Sequence, residues 1–221
     1  GKTYIYMAIR RPHKPASELA ATDLFKPNSN DNGGEKPDII SGFPVDFYFR
    51  RYRNSDGHGQ VLSRLQGRAI ASFSTADPES TTSYDSAGFD YNNGVMNIFS
   101  STNSDYGVWM WRRAKGFCDV VSYKGTGSAT TITHNLGVVP ELMIAKNRDN
   151  TAGNIPWVTY DSSTGATKYL RPNTDSSAAT YSGIWNDTAP TSSVFSVGSD
   201  VYINGSSDSY IIYLFASVDG I

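Results

Sequence analysis

Residues 106–113 read YGVWMWRR and set the first expectation about the fold. Large and apolar side chains dominate the run, and it ends on the doublet Arg112-Arg113. Aromatic side chains suit the pleated, half-buried surface of a strand. We therefore predict a core strand whose two arginines point to opposite faces where the strand leaves the core.

The same pattern occurs twice more in the chain, so the sequence contains an internal repeat. Residues 4–11 (YIYMAIRR) align with 106–113 without a gap, and the arginine doublet is kept. Residues 210–221 (YIIYLFASVDGI) align with 106–117 without a gap, although the doublet is lost. The second alignment predicts that Trp109 and Trp111 are equivalent to Tyr213 and Phe215.

A second pair of segments supports the repeat independently. Residues 42–53 (GFPVDFYFRRYR) align with 137–148 (GVVPELMIAKNR). A weaker match places 67–77 on 165–175. The matched residues of these segments are Gly42 with Gly137, Arg51 with Lys146, Arg53 with Arg148, Gly67 with Gly165, and Asp77 with Asp175. Order is preserved while the separation grows along the chain, as expected for equivalent strands joined by loops of unequal length.

These repeats predict the domain organisation. We expect one repeat at 13–113, a second at 114–221, and the terminal strand of a preceding repeat at 1–12. Each repeat has the size of an ordinary domain. Because the chain begins in the middle of a predicted strand, we also expect it to be a part of a longer protein.

The composition indicates an all-β protein with long polar loops, because aromatic residues make up 13% of the chain and it contains 20 glycines. The only plausible short helix lies near 16–22, with a loop as the alternative. In the second repeat, turn residues separate about eight candidate strands. We predict tandem antiparallel β-sandwich, jelly-roll-like modules. The candidate strands are 118–124, 129–133, 141–147, 156–160, 167–171, 192–197, 200–204 and 209–218.

Charge and cysteine content exclude several function classes. The net charge of −2 gives no reason to expect nucleic acid or an anionic membrane surface as a partner. With Cys118 as the single cysteine, neither an intrachain disulfide nor a zinc site built on several thiolates is possible. No apolar run approaches the roughly 20 residues of a membrane helix, so we expect no membrane insertion.

The motifs give no indication of catalysis. The turn at 125–127 (GTG) precedes a strand-like stretch, so it lacks the helix that a phosphate-binding loop needs. His13, His58 and His134 lack the close spacing of metal ligands on one element. The polar loop 28–35 loosely resembles a calcium loop, but its glutamate comes too early. We therefore predict no enzymatic activity, no cofactor and no metal.

The binding candidates are aromatic residues in loops, because an exposed ring can stack on a sugar. We select Trp185 with its neighbours Asn186 and Asp187, whose polar side chains would bond hydroxyl groups. The rival hypothesis is that Trp185 closes the end of the sandwich as a buried residue. The other aromatic candidates are Tyr91, Trp157, Tyr181 and Tyr202.

The second repeat also carries a family resemblance. Its segments VSYKGTGSATTITHNLGVVPELMIAKNR, IWNDTAPTSSVFSVG and YIIYLFASVDGI resemble the repeated module of large virion structural proteins of tailed phages that infect marine bacteria and cyanobacteria. TYIYMAIRRP and SGFPVDFYFRR resemble the same proteins. The resemblance covers nearly the whole chain. It implies a virion component, often tail-fibre-like or in contact with a receptor, and it transfers no catalytic residues.

Together these expectations describe a non-enzymatic segment of a phage virion, in a tail fibre or another surface appendage, with a role in host adhesion. Its expected partners are other virion subunits, further copies of itself in a homo-oligomer, and host cell-surface glycan. Such a protein is assembled in the host cytoplasm and becomes extracellular on lysis. The alternatives are a lectin-like carbohydrate-binding module of an extracellular protein and a glycan depolymerase, which would need a pair of carboxylates facing a groove.

Overall fold

The structure is a computed structural model, and it describes residues 19–29, 35–53, 58–67, 69–81, 88–96, 106–149 and 153–217. The predicted terminal strand 1–12 and His13 lie outside the described residues, as does most of loop 28–35. Antiparallel strands dominate the described ranges, with two single-turn α-helices and two 3-10 turns. The predicted all-β class is confirmed.

The first unit contains eight strands in the described ranges. They are β1 (Phe25–Asn28), β2 (Ile39–Ile40), β3 (Phe47–Tyr52), β4 (Gln60–Ser63), β5 (Ala69–Ser72), β6 (Ser80–Thr81), β7 (Gly94–Val95) and β8 (Tyr106–Trp111). The main sheet has the order β1-β8-β3-β4-β5-β6, and β2 pairs with β7 in a separate ribbon. The 3-10 turns are Ala21–Asp23 before β1 and Arg64–Gln66 after β4.

The second unit also contains eight strands, and it carries both helices. They are β9 (Cys118–Lys124), β10 (Thr130–Thr133), β11 (Leu142–Asn147), β12 (Val158–Asp161), β13 (Lys168–Tyr169), β14 (Ala179–Thr180), α1 (Ser182–Trp185), β15 (Val194–Val197), α2 (Val201–Asn204) and β16 (Ser209–Phe215). Its main sheet has the order β12-β11-β16-β9, and β10 pairs with β15.

The two units share one scheme of strand pairing. Taken in chain order, β1–β8 of the first unit correspond to β9–β16 of the second. In both, the first strand pairs with the eighth, the second with the seventh, the third with the eighth and fourth, and the fifth with the sixth. The fourth and fifth strands are also neighbours in both units. In the first unit β4 pairs with β5, and in the second unit a single bridge joins Thr159 to Leu170. Nested first–eighth and second–seventh pairs are typical of a jelly roll.

The register of the strands agrees with the sequence alignment. Phe47 lies opposite Trp111 in the first unit, and Leu142 lies opposite Phe215 in the second. These are the residues that the two independent alignments place on one another. Trp109 and Tyr213 therefore occupy the same position in the two units, as predicted. The boundaries 13–113 and 114–221 themselves remain predictions.

Each unit has its own core between the main sheet and the ribbon. In the first unit this core includes Ile39 and Val95 of the ribbon with Tyr48 and Met110 of the sheet. The second core is built in the same way from Phe195 and Val197 of the ribbon, with Met143, Ala145, Ile212 and Leu214 of the sheet and Ile184, Trp185 and Ile203 of the helices. Each unit is thus an antiparallel β-sandwich in which a ribbon covers one sheet face.

A third cluster, here called the interface core, joins the other faces of the two main sheets. Its buried members are Leu24, Phe47, Val61, Ala71, Phe117, Cys118, Val120, Trp157, Ile211 and Tyr213. Trp111 stacks on Phe47 with ring planes 2° apart, and Phe47 contacts Tyr213 of the second unit at a centroid distance of 5.0 Å. Because Trp111 and Phe215 are equivalent and also touch, at 6.4 Å, the units pack through equivalent faces.

The alternation of Val158 and Tyr160 predicts a strand with one solvent-exposed face, but Thr159 between them is only 6% exposed. Trp157, on the same face of this strand as Thr159, packs in the interface core against Phe73 of the first unit. The near-continuous apolar run 211–216 predicts a central strand covered on both faces, and β16 is buried on both.

Local capping explains a second error. Residues 200–204 were predicted as a strand, but 201–204 form α2. The Asp200 carboxylate accepts a hydrogen bond from the backbone N–H of Tyr202 at 2.7 Å, which satisfies a donor of the first turn and favours a helix start. The short strand β14 was not predicted. Of the possible helix at 16–22, the structure describes only the part from residue 19, where the 3-10 turn begins at Ala21.

Candidate functional site

Trp185, the first of the predicted binding residues, lies in α1 and is only 1% exposed. Its ring packs edge-on against Tyr160 at a centroid distance of 5.9 Å, within the core of the second unit. The expectation of an exposed indole is therefore wrong, because α1 turns the side chain inward. The rival hypothesis, in which Trp185 closes the sandwich, describes its position.

Asn186 and Asp187 do lie on the surface, directly after α1. Both have left-handed backbone conformations, with φ of 53° and 48°. The N–H of Asn186 donates to the carbonyl of Ser182 at 2.9 Å, so the turn closes the helix and presents the two polar side chains outward. Their role in ligand binding stays a prediction, now without an aromatic ring beside them.

The remaining aromatic candidates separate into buried and exposed groups. Trp157 is fully buried in the interface core, and its Nε1–H donates to the carbonyl of Ser72 at 2.8 Å. Tyr181 is 47% exposed, while Tyr91 and Tyr202 are half-buried. The structure does not bring these side chains into one site with Asn186.

One group of charged side chains lies between the two units. Arg148 donates from Nε to both carboxylate oxygens of Glu79, at 2.9 and 2.8 Å. Their backbones also bond, since the N–H of Glu79 donates to the carbonyl of Arg148 at 3.0 Å. Gln66 adds a bond from Nε2 to Glu79 Oε1 at 2.7 Å. Burial raises the pKa of Glu79, and the Arg148 charge opposes that rise.

Lys146 is a second cation at the same interface, and it is completely buried. Its Nζ donates to the carbonyl of Ala76 in the first unit at 3.1 Å and to that of Ile155 at 2.7 Å. Burial lowers the pKa of Lys146 to about 8, against the attraction of the Asp77 and Glu79 carboxylates.

Tyr213 completes what we call the interface network, which consists of Gln66, Glu79, Lys146, Arg148 and Tyr213. Its hydroxyl donates to Gln66 Oε1 at 2.8 Å across the two units. Burial raises the pKa of Tyr213 far above its ordinary value, so the phenol stays protonated. The network uses its donors and acceptors to hold the units together.

The connection between the units carries a further ion pair. Arg113, at the exit of β8, lies 3.6 Å from Asp46 of the first unit and 3.7 Å from Asp119 of β9. Its backbone N–H donates to Asp46 Oδ2 at 2.7 Å. The second arginine of the repeated doublet thus ties the end of one unit to the start of the next.

His134 and Asn204 are two further buried polar side chains, and both have hydrogen-bond partners within the second unit. His134 accepts at Nδ1 from the N–H of Leu136 at 3.2 Å and contacts the carbonyl of Thr191 through Nε2. Asn204 donates to the carbonyls of Ser128 and Gly198, both at 2.7 Å. Within the described ranges, no three His, Cys, Asp or Glu side chains are grouped so that they could hold a metal ion.

The interface network was not found from the sequence. The signal was present, because Lys146 and Arg148 fall on two basic positions of the repeat, Arg51 and Arg53. A basic residue at the end of an exposed strand is ordinarily solvated, so nothing local shows that Lys146 is buried and Arg148 half-buried. Only the packing of one unit on the other does so.

Comparison with known proteins gives a family and no function. A family model described as a domain of unknown function (DUF7483) matches residues 42–221. The chain belongs to this family. The DUF7483 match begins before β3 and runs through β16, across both units. No curated protein and no solved structure matches the chain. Among the described residues of this DUF7483 protein, no helix is long and apolar enough to cross a membrane.

Proposed function

We propose that the chain is a non-enzymatic structural segment of a tailed-phage virion, located in a tail fibre or another surface appendage, with a role in host adhesion. The sequence resemblance to repeated virion modules motivates the assignment. The family description and the fold are compatible with it, and they name no competing activity.

One observation carries the proposal: two copies of one sandwich are joined through a buried, charged interface. Arg148 with Glu79, and Lys146 with the carbonyl of Ala76, fix the second copy on the first. Such bonds across an apolar interface core resist relative motion of the units. A rigid block of repeated modules suits a protein that bears load in an appendage and holds its loops at set spacings.

Adhesion would follow from repetition. In a homo-oligomeric appendage the exposed turn at Asn186 and Asp187 would recur in every copy. Weak contacts of such turns with host cell-surface glycan add up through effective concentration, so no single strong site is needed. The partners in this account are other virion subunits and glycan.

Mass spectrometry of purified particles tests the assignment. Particles banded on a density gradient should contain peptides of this chain in a fixed ratio to the major capsid protein. Antibodies against the chain should label an appendage in electron micrographs and reduce adsorption to host cells. Absence of the chain from infectious particles would contradict the proposal, and labelling without an effect on adsorption would remove the adhesion role alone.

A further inference from the structure

The first unit contains counterparts of the residues through which the second unit contacts the first. Because the registers of the two sheets agree, each residue of β3 and β8 has a defined equivalent. The pairs that matter are Phe49 with Ile144, Arg51 with Lys146, and Trp109 with Tyr213. All of them lie on the sheet face away from the ribbon. We call Phe49, Arg51 and Trp109 the uncovered face.

In the second unit these positions are covered by a segment of the first. Residues 66–79 bond Tyr213 through Gln66 at 2.8 Å and Lys146 through the carbonyl of Ala76 at 3.1 Å. Arg148, two residues after Lys146, holds Glu79. The part of the segment that meets the two cations reads ADPE and carries two carboxylates.

Among the described residues, no segment covers the counterparts in the first unit in this way. Arg51 is exposed, and among the described residues it has no hydrogen bond or ion pair. Phe49 and Trp109 are half-buried, with ring centroids 5.5 Å apart, and Phe73 continues the row at 5.7 Å from Phe49.

The packing of the second unit explains why the uncovered face stays open. The counterpart of 66–79 is 164–177, which would cover this face if the two units were fully symmetric. Instead, Ala166 and Tyr169 pack into the core of their own unit beside α1. Only the bridge from Thr159 to Leu170 holds β13 to the main sheet, and Asp175 remains exposed.

We propose that the uncovered face docks an extended acidic segment of a neighbouring polypeptide, as residues 76–79 dock on Lys146 and Arg148. Charge complementarity supports this occupant, since Arg51 places an exposed cation, with no ion pair among the described residues, at the end of β3. Phe49 and Trp109 provide an apolar surface for the docked segment, as the interface core does in the second unit. The site is continuous with the existing interface through Phe73, which contacts Trp157 at 5.0 Å. The proposal goes beyond the virion assignment and does not depend on it.

A peptide with the sequence of residues 73–81, FSTADPEST, is a suitable probe. Titrated into the whole chain labelled with ¹⁵N, it should shift the amide signals of β3 and β8 and the indole signal of Trp109. A matched peptide with Asp77→Asn and Glu79→Gln should bind about tenfold more weakly, because it lacks the carboxylates. Arg51→Glu should weaken binding of the acidic peptide by a similar factor.

Lys168→Glu is the matched charge reversal in the second unit, at an exposed position of β13, and should leave binding unchanged. Arg51→Gln, which is less disruptive, should give an intermediate affinity and a native spectrum. Equal binding of the neutral peptide, equal binding to the Arg51→Glu variant, or shifts confined to other surfaces would each overturn the proposal. So would binding of an acidic oligosaccharide at these residues when the acidic peptide does not bind.

Discussion

Arg148 binds both carboxylate oxygens of Glu79, at 2.9 and 2.8 Å, and this pair joins the second unit to the first. Because the Glu79 side chain is only 7% exposed, removing its charge leaves a half-buried guanidinium without its partner. We expect Glu79→Gln to lower the free energy of unfolding by roughly 3 kcal/mol, the lower end of the cost of breaking a buried ion pair. Urea denaturation followed by circular dichroism measures this loss.

The control for Glu79→Gln is Lys124→Met, which breaks a surface pair. Lys124 lies 3.8 Å from Asp149, and its side chain is 70% exposed. Surface pairs contribute about 0–1 kcal/mol, so this variant should unfold almost as the parent does. Equal losses in the two variants would show that the pair between the units has no special importance.

Trp185→Ala should destabilise the second unit by about 3–5 kcal/mol, as truncation of a core tryptophan does. The indole is 1% exposed and packs on Tyr160. Thermal denaturation of Trp185→Ala, compared with Asp187→Asn on the adjacent exposed turn, checks the expectation. If the tryptophan variant kept the parent's stability and lost adsorption to host cells, the exposed-ring hypothesis would be correct after all.

Gly42 and Gly137 test the equivalence of the units at single positions. Both have left-handed backbones, with φ of 89° and 79°, and the alignment of 42–53 with 137–148 places one on the other. An L side chain in this region costs about 1–2 kcal/mol. Gly42→Ala and Gly137→Ala should therefore lose similar stability in denaturant titrations. A large loss in one variant and none in the other would argue that the turns are not equivalent.

Lys146 should make stability depend on pH in the alkaline range. Burial lowers its pKa from 10.5 to about 8, so in this range the unfolded chain binds more protons than the folded one, and stability rises with pH through the folded pKa. The stability difference between the parent and Lys146→Met should shift by roughly 1 kcal/mol in favour of the parent between pH 7.5 and 9.

The comparison with Lys146→Met is needed because Cys118 has the opposite effect. Burial raises the pKa of Cys118 to about 12, so its contribution to stability falls as pH rises above 9.0. Cys118 is present in both proteins and cancels in the difference. A difference independent of pH would mean that Lys146 keeps an ordinary pKa in the folded chain.

The repeated strand and its register could be predicted from the sequence because strand cores keep their apolar spacing. Matching Trp111 to Phe215 and Phe47 to Leu142 was enough to align two sheets. The short helix α2 was missed, since its start depends on one capping bond from Asp200 that competes with an alternating pattern. Differences in helix propensity and the contribution of one capping bond are each only about 1 kcal/mol, so the secondary structure of such short segments is easily misassigned.

The candidate binding residue and the interface were harder to predict, for one reason. Whether Trp185 or Lys146 meets solvent depends on the packing of distant segments, such as α1 on Tyr160 and β11 on residues 76–79. Composition and spacing describe single strands and do not show which faces meet.

Native-state hydrogen exchange tests most directly the claim that two copies of one module are locked into a single block. The comparison uses slowly exchanging amides of β3 and β8 in the first unit and of β11 and β16 in the second. All of them should exchange with the same free energy of opening and the same dependence of that free energy on denaturant. That result means that the units unfold together. Two classes of amides, divided between the units and differing by more than about 1 kcal/mol, would contradict the account.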